Sequence, residues 1–151
     1  MREFTSINEI LDFAIGEEQA AVDFYLQLAD QSKNQQTKKV FSEYAEEEMR
    51  HKVKLIFIKE SGNFKLPDAK VRDLKIADYL IDVKPSANMS YQEALILAMK
   101  KEKAAFRMYI KLAEKAENPE VKSLFLNLAQ EESKHKLAFE VEYDDYILKE
   151  N

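Results

Sequence analysis

Two short segments of the chain place a histidine three residues after a glutamate: Glu48-x-x-His51 and Glu132-x-x-His135. They contain both histidines of the 151-residue sequence. On a helix, residues three apart project from one face, about one turn from each other. A carboxylate and an imidazole arranged in this way form half of a metal site. Two such halves, with one more glutamate from each of two other helices, make the dinuclear carboxylate site of a four-helix bundle.

The elements that must position these residues are indicated by an internal repeat. Shifted by 84 positions and without a gap, the sequence matches itself at 18 positions between residues 6 and 52. Each copy predicts one pair of helices, so the chain is expected to be an all-α four-helix bundle made of two repeated helical hairpins. The matching residues of the first copy are Ser6, Glu9, Leu11, Ala14, Glu18, Ala20, Ala21, Tyr25, Leu28, Ala29, Asn34, Lys38, Phe41, Ala45, Glu47, Glu48, His51 and Lys52.

Capping signals mark where the four long helices begin. Ser6 and Ser90 each precede a glutamate by three residues, which is the capping-box pattern. Asn118-Pro119 predicts an N-cap followed by proline at the first helical position, and Asn34 holds the equivalent place in the first copy. We therefore expect helices over about 6–33, 35–60, 90–117 and 119–148.

Residues 61–89 break this pattern and are expected to form a crossover connection. Gly62, Pro67 and Pro85 interrupt the helical periodicity, while residues 74–83 predict a short extra helix. A link of this length can span a helix of about 40 Å, so it need not be a domain boundary. The chain is therefore predicted to be one domain, 1–151, with hairpins over about 6–60 and 90–148. The second and third long helices would run parallel, with a pseudo-twofold axis across the bundle.

The seam of each helix that is predicted to face the core is apolar except near its middle. At these positions, where the periodicity predicts buried apolar residues, the sequence has glutamates and histidines. Glu18 and Glu48 lie about equally far from the turn at 33–34, and Glu102 and Glu132 are balanced about the turn at 117–118. Antiparallel helices would bring these groups to one level. The predicted metal ligands are Glu18, Glu48, His51, Glu102, Glu132 and His135.

Four glutamates in a dry core would be very costly as anions, and two divalent cations would cancel their charge. Oxygen ligands with one imidazole per metal suit iron or manganese better than structural zinc. We expect two iron ions, with manganese or a mixed pair as alternatives. Glu48 and Glu132 are predicted to bridge the metals, which leaves open positions for oxygen, peroxide or an oxide.

Several neighbouring residues compete for a role at this site. Glu17 lies about 100° from the seam, so Glu18 is the better ligand candidate. Glu47 and Glu131 repeat but point away from the seam, and are interpreted as surface charges or distant hydrogen-bond acceptors.

Two tyrosines and one methionine leave alternatives open. Tyr25 and Tyr109 lie two turns from the terminal glutamates. They are candidates for hydrogen bonds to the ligands, for electron transfer, or for plain core packing. Met49 suggests an axial haem ligand at a dimer axis. Its repeat partner is Ser133, and a methionine on a helix flank usually packs, so haem is the minor alternative.

Composition excludes several other functions. The net charge of −5 and the lack of a Lys/Arg stripe argue against nucleic-acid binding. The absence of cysteine excludes disulfides, thiol catalysis and iron held by thiolates. No basic leader with an apolar run begins the chain, and no stretch approaches the roughly 18 apolar residues of a membrane span. A cytoplasmic protein that contacts no membrane is expected.

The chain resembles the rubrerythrin-type, ferritin-like di-iron carboxylate proteins. The resemblance lies in residues 14–25 and the segment Glu48–His51, with 98–109 and the segment Glu132–His135 as second copies. It implies a ferritin-like fold and a non-haem di-iron oxidoreductase that reacts with hydrogen peroxide or dioxygen, of peroxidase or ferroxidase type. Rubrerythrins proper carry an iron–thiolate domain. Since this chain has no cysteine, its electrons are expected from an external donor protein such as a rubredoxin.

A second departure from rubrerythrins is Ala105, which stands where they place an extra glutamate, so a symmetric site is expected. The symmetric ligand set also resembles that of bacterioferritin. However, the stretch after His135 is expected to be too short for the fifth helix of that family. Iron storage of ferritin or bacterioferritin type and a metal-stabilised structural bundle are the alternative functions. A homodimer is expected, with exchange of helix pairs between chains as one form of it. The apolar residues expected to favour it are Tyr79, Leu80, Tyr143, Tyr146 and Ile147.

Overall fold

The computed structural model describes residues 4–76, 85–86 and 88–150. Its helices are α1 (Ile7–Gln31), α2 (Gln35–Ser61), α3 (Asp68–Asp73), α4 (Tyr91–Lys115) and α5 (Pro119–Glu150). The described residues contain no β-strand, and the prediction of an all-α bundle is confirmed. The four long helices begin and end within about two residues of the predicted positions.

Local side-chain chemistry starts the helices where the sequence predicts. The Ser90 hydroxyl accepts from the Glu93 amide while the Glu93 carboxylate accepts from the Ser90 amide, a complete capping box. Ser6 caps α1 by accepting from the Glu9 amide. Asn34 and Asn118 cap α2 and α5 through their side-chain oxygens, with Pro119 in the first helical position as predicted.

The end of α2 and the short helix of the crossover depend on backbone geometry. Gly62 follows α2 with a φ of 68°, the left-handed conformation that ends a helix and favours glycine. The prediction of a helix over 74–83 is wrong at its start, because α3 ends at Asp73 and Leu74 only caps it. Pro67 fixes the turn into α3 and Asp68 favours its first turn. Residues 77–83 of that prediction lie outside the described residues.

The four long helices form two antiparallel hairpins that face each other. In the first, the Lys52 ammonium donates to Gln19 and Lys59 pairs with Asp12, which joins α2 to α1. In the second, Tyr91 donates to Glu142. Helices α2 and α5 are antiparallel, because the Lys54 ammonium donates to Asn127 while the earlier residue 47 lies beside the later residue 135. Helices α2 and α4 therefore run parallel, as predicted.

Two apolar clusters fill the bundle, one on either side of a polar layer. One contains Leu11, Leu55, Leu112 and Phe125 among others, and also receives Val71, Leu74 and Ile76 of the crossover. The other contains Leu28, Phe41, Leu95 and Phe139 among others. Because burial of such side chains contributes about 1.5–3 kcal/mol each, the clusters clamp the four helices on both sides of the layer.

Of the residues expected to favour a dimer, Tyr143 and Tyr146 pack against their own bundle and are only partly exposed. Ile147 is also partly exposed, and Tyr79 and Leu80 lie outside the described residues. None of the helices that the structure describes is both long enough and apolar enough to cross a bilayer.

Candidate metal centre

The polar layer consists of six side chains, one glutamate from each long helix and one histidine from each of α2 and α5. None of the six is more than 3% exposed. The six predicted ligands are thus brought together: Glu18, Glu48, His51, Glu102, Glu132 and His135. They fall into two groups, each with four ligand atoms within 4.8 Å of one another.

The first group contains Glu18, Glu48, His51 and Glu132. The His51 Nδ1 atom lies 2.7 Å from Glu132 Oε1 and 3.6 Å from Glu48 Oε2. It lies 3.7 Å from Glu18 Oε2. Three helices thus supply oxygen atoms around one ring nitrogen, which is the arrangement a cation shared by these groups requires.

The second group repeats the first by the pseudo-twofold relation and contains Glu48, Glu102, Glu132 and His135. The His135 Nδ1 atom lies 2.8 Å from Glu48 Oε1 and 3.9 Å from Glu102 Oε2. The two imidazole rings are nearly parallel, with centroids 6.2 Å apart. Glu48 and Glu132 belong to both groups, which is the position predicted for bridging ligands.

The two acids interpreted as surface charges have a closer role than the sequence suggested. Glu131 contacts the Nε2 atom of His51, and Glu47 contacts the Nε2 atom of His135. Both carboxylates are partly exposed, while both rings are buried. A carboxylate at Nε2 holds the proton there and leaves Nδ1 free to bind a metal. The alternative interpretation of these two acids as hydrogen-bond acceptors agrees with the contacts, although the contacts are direct because a long glutamate on α2 or α5 reaches the facing helix. The signal for this role was their exact repetition beside Glu48 and Glu132.

Glu17 and Met49, the other competitors, lie outside the layer. The Glu17 side chain is 46% exposed and pairs with Lys101 across α1 and α4 at 3.7 Å. Met49 is 39% exposed on the outer side of α2. The choice of Glu18 over Glu17 agrees with the 3% exposure of Glu18.

The two tyrosines differ in their contacts with the layer. The Tyr109 hydroxyl donates a 2.5 Å hydrogen bond to Glu18 Oε1. The Tyr25 ring meets the His135 ring edge to face, with centroids 6.3 Å apart. Burial raises the pKa of Tyr109 well above its ordinary range, and the Glu18 charge raises it further, so the hydroxyl keeps its proton and remains a donor.

Tyr44 is a further neighbour of the site that the sequence did not single out. Its ring lies over His135, with centroids 4.4 Å apart and planes inclined by 31°. The matching position in the second copy is Leu128, a buried apolar residue. The periodicity of α2 predicts that position 44 lies on the inward seam, about one turn before Glu48, and this position together with the difference between the copies is the signal that could have identified Tyr44.

Burial and mutual repulsion move the pKa values of the buried acids in this layer, and not all in the same direction. Burial raises the pKa of Glu48, and the charges of Glu132 and Glu18 raise it further. Burial and then the Glu132 charge raise the pKa of Glu102 in the same way. Burial would also raise the pKa of Glu132, but hydrogen bonds with Glu102 and His51 outweigh it and lower that pKa. Burial opposes protonation of His51, yet its carboxylate partners raise its pKa.

The residues fit a pair of metal ions. Glu18 Oε2, Glu48 Oε1, Glu102 Oε2 and His135 Nδ1 are buried without a hydrogen-bond partner. Glu48 Oε1 and His135 Nδ1 are close, yet they are not aligned for a hydrogen bond. Buried groups of this kind are costly unless something else binds them, and two divalent cations would satisfy all four atoms and balance four carboxylates.

A cavity of about 80 Å³ lies between α1 and α4 and reaches this layer. Its floor includes Glu18, Glu48, Glu102 and Glu132. Small molecules can therefore approach the carboxylates from the α1–α4 side, whereas the imidazoles face the α2–α5 side.

The fold is a ferritin-like bundle, and the site combines two Glu-x-x-His motifs with two further glutamates. Together they define the class of ferritin-like proteins with a carboxylate–histidine metal site. The sequence model of the family described as Rubrerythrin matches residues 9–143. The chain belongs to the rubrerythrin family, whose members typically bind a pair of iron ions. Neither a curated protein sequence nor a solved structure gives a significant match to this chain.

Proposed function

We propose that the protein is a non-haem di-iron oxidoreductase that reduces hydrogen peroxide or dioxygen with electrons from a separate donor protein. The observation that supports this best is the pair of buried ligand groups that share Glu48 and Glu132. Two bound Fe(II) ions would supply the two electrons that cleave an O–O bond. Six protein ligands for two metals leave coordination positions for the oxidant.

The chain's own residues hold the ligands and manage the protons. Glu47 and Glu131 orient the imidazoles so that Nδ1 faces the metals. Tyr109 keeps Glu18 in place through its hydroxyl, and both residues line the cavity. The two apolar clusters exclude water from both ends of the layer, which strengthens the electrostatic interactions within it.

The electron donor is expected to be another protein, such as a rubredoxin, because a cysteine-free chain has no iron–thiolate group of its own. The imidazole side of the site offers an approach for such a donor, since Glu47 and Glu131 contact the buried imidazoles and are partly exposed there. A homodimer of the protein stays a prediction.

The test begins with metal analysis of the purified protein after anaerobic loading with Fe(II). We expect about two irons per chain, and oxidation of both by about one equivalent of hydrogen peroxide, followed by optical spectroscopy. The variant His135→Ala should lose this stoichiometry. Exposed Lys134→Ala, one residue away, should retain it and serves as the matched control.

Two results would contradict the proposal. Many irons per chain, retained in a large particle after oxidation, would instead identify an iron-storage protein. Tight metal binding with no oxidation by peroxide or dioxygen would leave the metals a structural role, and chelation should then abolish folding.

A further inference from the structure

The cavity between α1 and α4 is more apolar than reduction of hydrogen peroxide requires. Above its carboxylate floor, the walls consist mainly of aromatic, methionine and alanine side chains. These wall residues are Phe13, Ala20, Ala21, Phe24, Tyr25, Ala104, Ala105, Met108 and Tyr109. Hydrogen peroxide is small and polar and would gain nothing from such walls, whereas an alkyl group would be removed from water by them.

The internal repeat places small residues at matching points of the cavity. Ala20 and Ala21 on α1 correspond to Ala104 and Ala105 on α4, each pair 84 positions apart. All four line the cavity. Ala20 is exposed, whereas Ala21 and Ala105 are half-buried against the two apolar clusters, so a larger side chain at either of these two would extend into the space above the carboxylates. Ala21 and Ala105 therefore limit how large a group can reach the predicted metal ligands.

The volume indicates the size of that group. A dry apolar cavity of about 150 Å³ can hold benzene. On the same scale, this cavity of about 80 Å³ encloses about three carbons, and its open side leaves room for one more, which suits a short or branched alkyl group. Because it is lined by Pro85 and by the partly exposed Glu17 and Lys101, it also communicates with the surface.

Charge at the cavity favours an uncharged ligand. Glu17 and Lys101 face each other across the opening at 3.7 Å, so their charges largely cancel. Behind them lie four carboxylates, which would repel an organic anion whenever metals do not fully balance them. A neutral molecule with an apolar tail and a small polar head matches both ends of the space.

We propose that this cavity binds the alkyl group of a small organic hydroperoxide and directs its peroxide group toward Glu18 and Glu102. The reaction rests on the proposed function, because its electrons come from the two Fe(II) ions. The O–O bond breaks, two electrons and two protons are taken up, and an alcohol and water leave while two Fe(II) become two Fe(III). The specificity residues are Ala21 and Ala105.

Binding is tested without redox chemistry in zinc-loaded protein, with tert-butanol as the probe. Methyl NMR signals of Ala21, Ala104 and Ala105 should shift in a saturable manner. The variants Ala105→Leu and Ala21→Leu fill the cavity from opposite helices, and each should weaken binding about tenfold or more. Partly exposed Ala138→Leu on α5, away from the cavity, should leave binding unchanged and controls for the added leucine.

Reactivity is tested with Fe(II)-loaded protein, by comparing tert-butyl hydroperoxide with hydrogen peroxide. In either cavity-filling variant the rate with tert-butyl hydroperoxide should fall at least about tenfold more than the rate with hydrogen peroxide, because the added leucine takes up space that only the alkyl group needs. Equal losses for both oxidants, or no saturable binding of tert-butanol to the wild-type protein, would overturn the inference. Binding of tert-butanol without any reaction of the iron form would contradict the proposed function and leave the binding site standing.

Discussion

The two hairpins of the bundle supply the same candidate metal ligands but do not surround them in the same way. Glu18, Glu48 and His51 in one are matched by Glu102, Glu132 and His135 in the other. Around them, Tyr44 is matched by Leu128, Glu17 by Lys101 and Met49 by Ser133. The two copies are identical at the candidate metal ligands and at Glu47 and Glu131, which orient the imidazoles. They differ at the residues that surround these groups.

The largest effect is expected from the bridging glutamates, which belong to both ligand groups. Glu48→Ala and Glu132→Ala should each reduce bound metal from about two ions per chain to well below one, whereas Glu18→Ala should retain about one. Metal analysis after dialysis measures this. Exposed Glu46→Ala on the same helix is the control. Equal losses for the bridging and terminal variants would show that the two halves do not share ligands.

The second-largest effect is expected from Glu47 and Glu131, the acids that orient the imidazoles. Glu47→Ala and Glu131→Ala each leave one Nε2 without its carboxylate, and metal affinity should fall about 10- to 100-fold. Competition with a chelator measures it. The two variants should behave alike, because the contact is reciprocal between hairpins. A change in only one of them would show that the repeat is not functionally symmetric here.

Tyr109 and its counterpart Tyr25 should differ in their effects on stability. Tyr109→Phe removes the hydrogen bond to a buried carboxylate, which should lower the free energy of unfolding by about 1.5–3 kcal/mol. Tyr25→Phe keeps the ring that packs against His135 and Phe139, and should cost less. Urea unfolding of both variants at constant metal content decides the comparison, and equal values would refute it.

Tyr44→Leu should make the first hairpin resemble the second. Loss of the ring over His135 should cost about 0.5–1.5 kcal/mol of stability. The NMR signals of the two imidazoles in zinc-loaded protein should become more alike, because the ring current acts on His135 alone. Leu128→Met, a substitution of similar volume, serves as control. Unchanged His135 signals would contradict the close contact between the two rings.

The smallest effect concerns Tyr91, whose counterpart in the first hairpin is Ile7. Partial burial raises the pKa of Tyr91, and the charge and hydrogen bond of Glu142 raise it further. Its contribution to stability is therefore present below the unfolded-state pKa of about 10 and is lost as the pH rises through the folded-state pKa. Between pH about 9 and 11, the free energy of unfolding of the wild-type protein should therefore fall by about 0.5 kcal/mol or less more than that of Tyr91→Phe. Thermal unfolding at a series of pH values measures this difference. Parallel curves for the two proteins would contradict this.

The sequence predicted most of the fold because the repeat, the capping residues and the seam all indicate the same helices. It also predicted which six side chains meet, since acids at matched heights on antiparallel helices must face one another. It left alternatives open for side chains that reach from one helix to the facing one. Glu47 and Glu131 lie off the seam of their own helices, yet they reach the facing helix. The position of α3 was missed because Pro67 was interpreted only as a breaker, although it also begins a helix.

The size of the cavity could not be predicted, since alanine at four repeated positions is equally typical of close helix packing. Only the separation of α1 from α4 decides whether such alanines touch or leave a space. Periodicity along a single helix carries no information on that distance.

Each ligand group draws its fourth member from the other hairpin: Glu132 completes the first, and Glu48 the second. One hairpin alone supplies three of the four ligands, and a second copy of the same hairpin would supply the rest. The ligand groups therefore include no residue of the link between the halves. Two separately synthesised fragments, or a half-length ancestor assembling with itself, would present the same metal-binding surface once metal joined them.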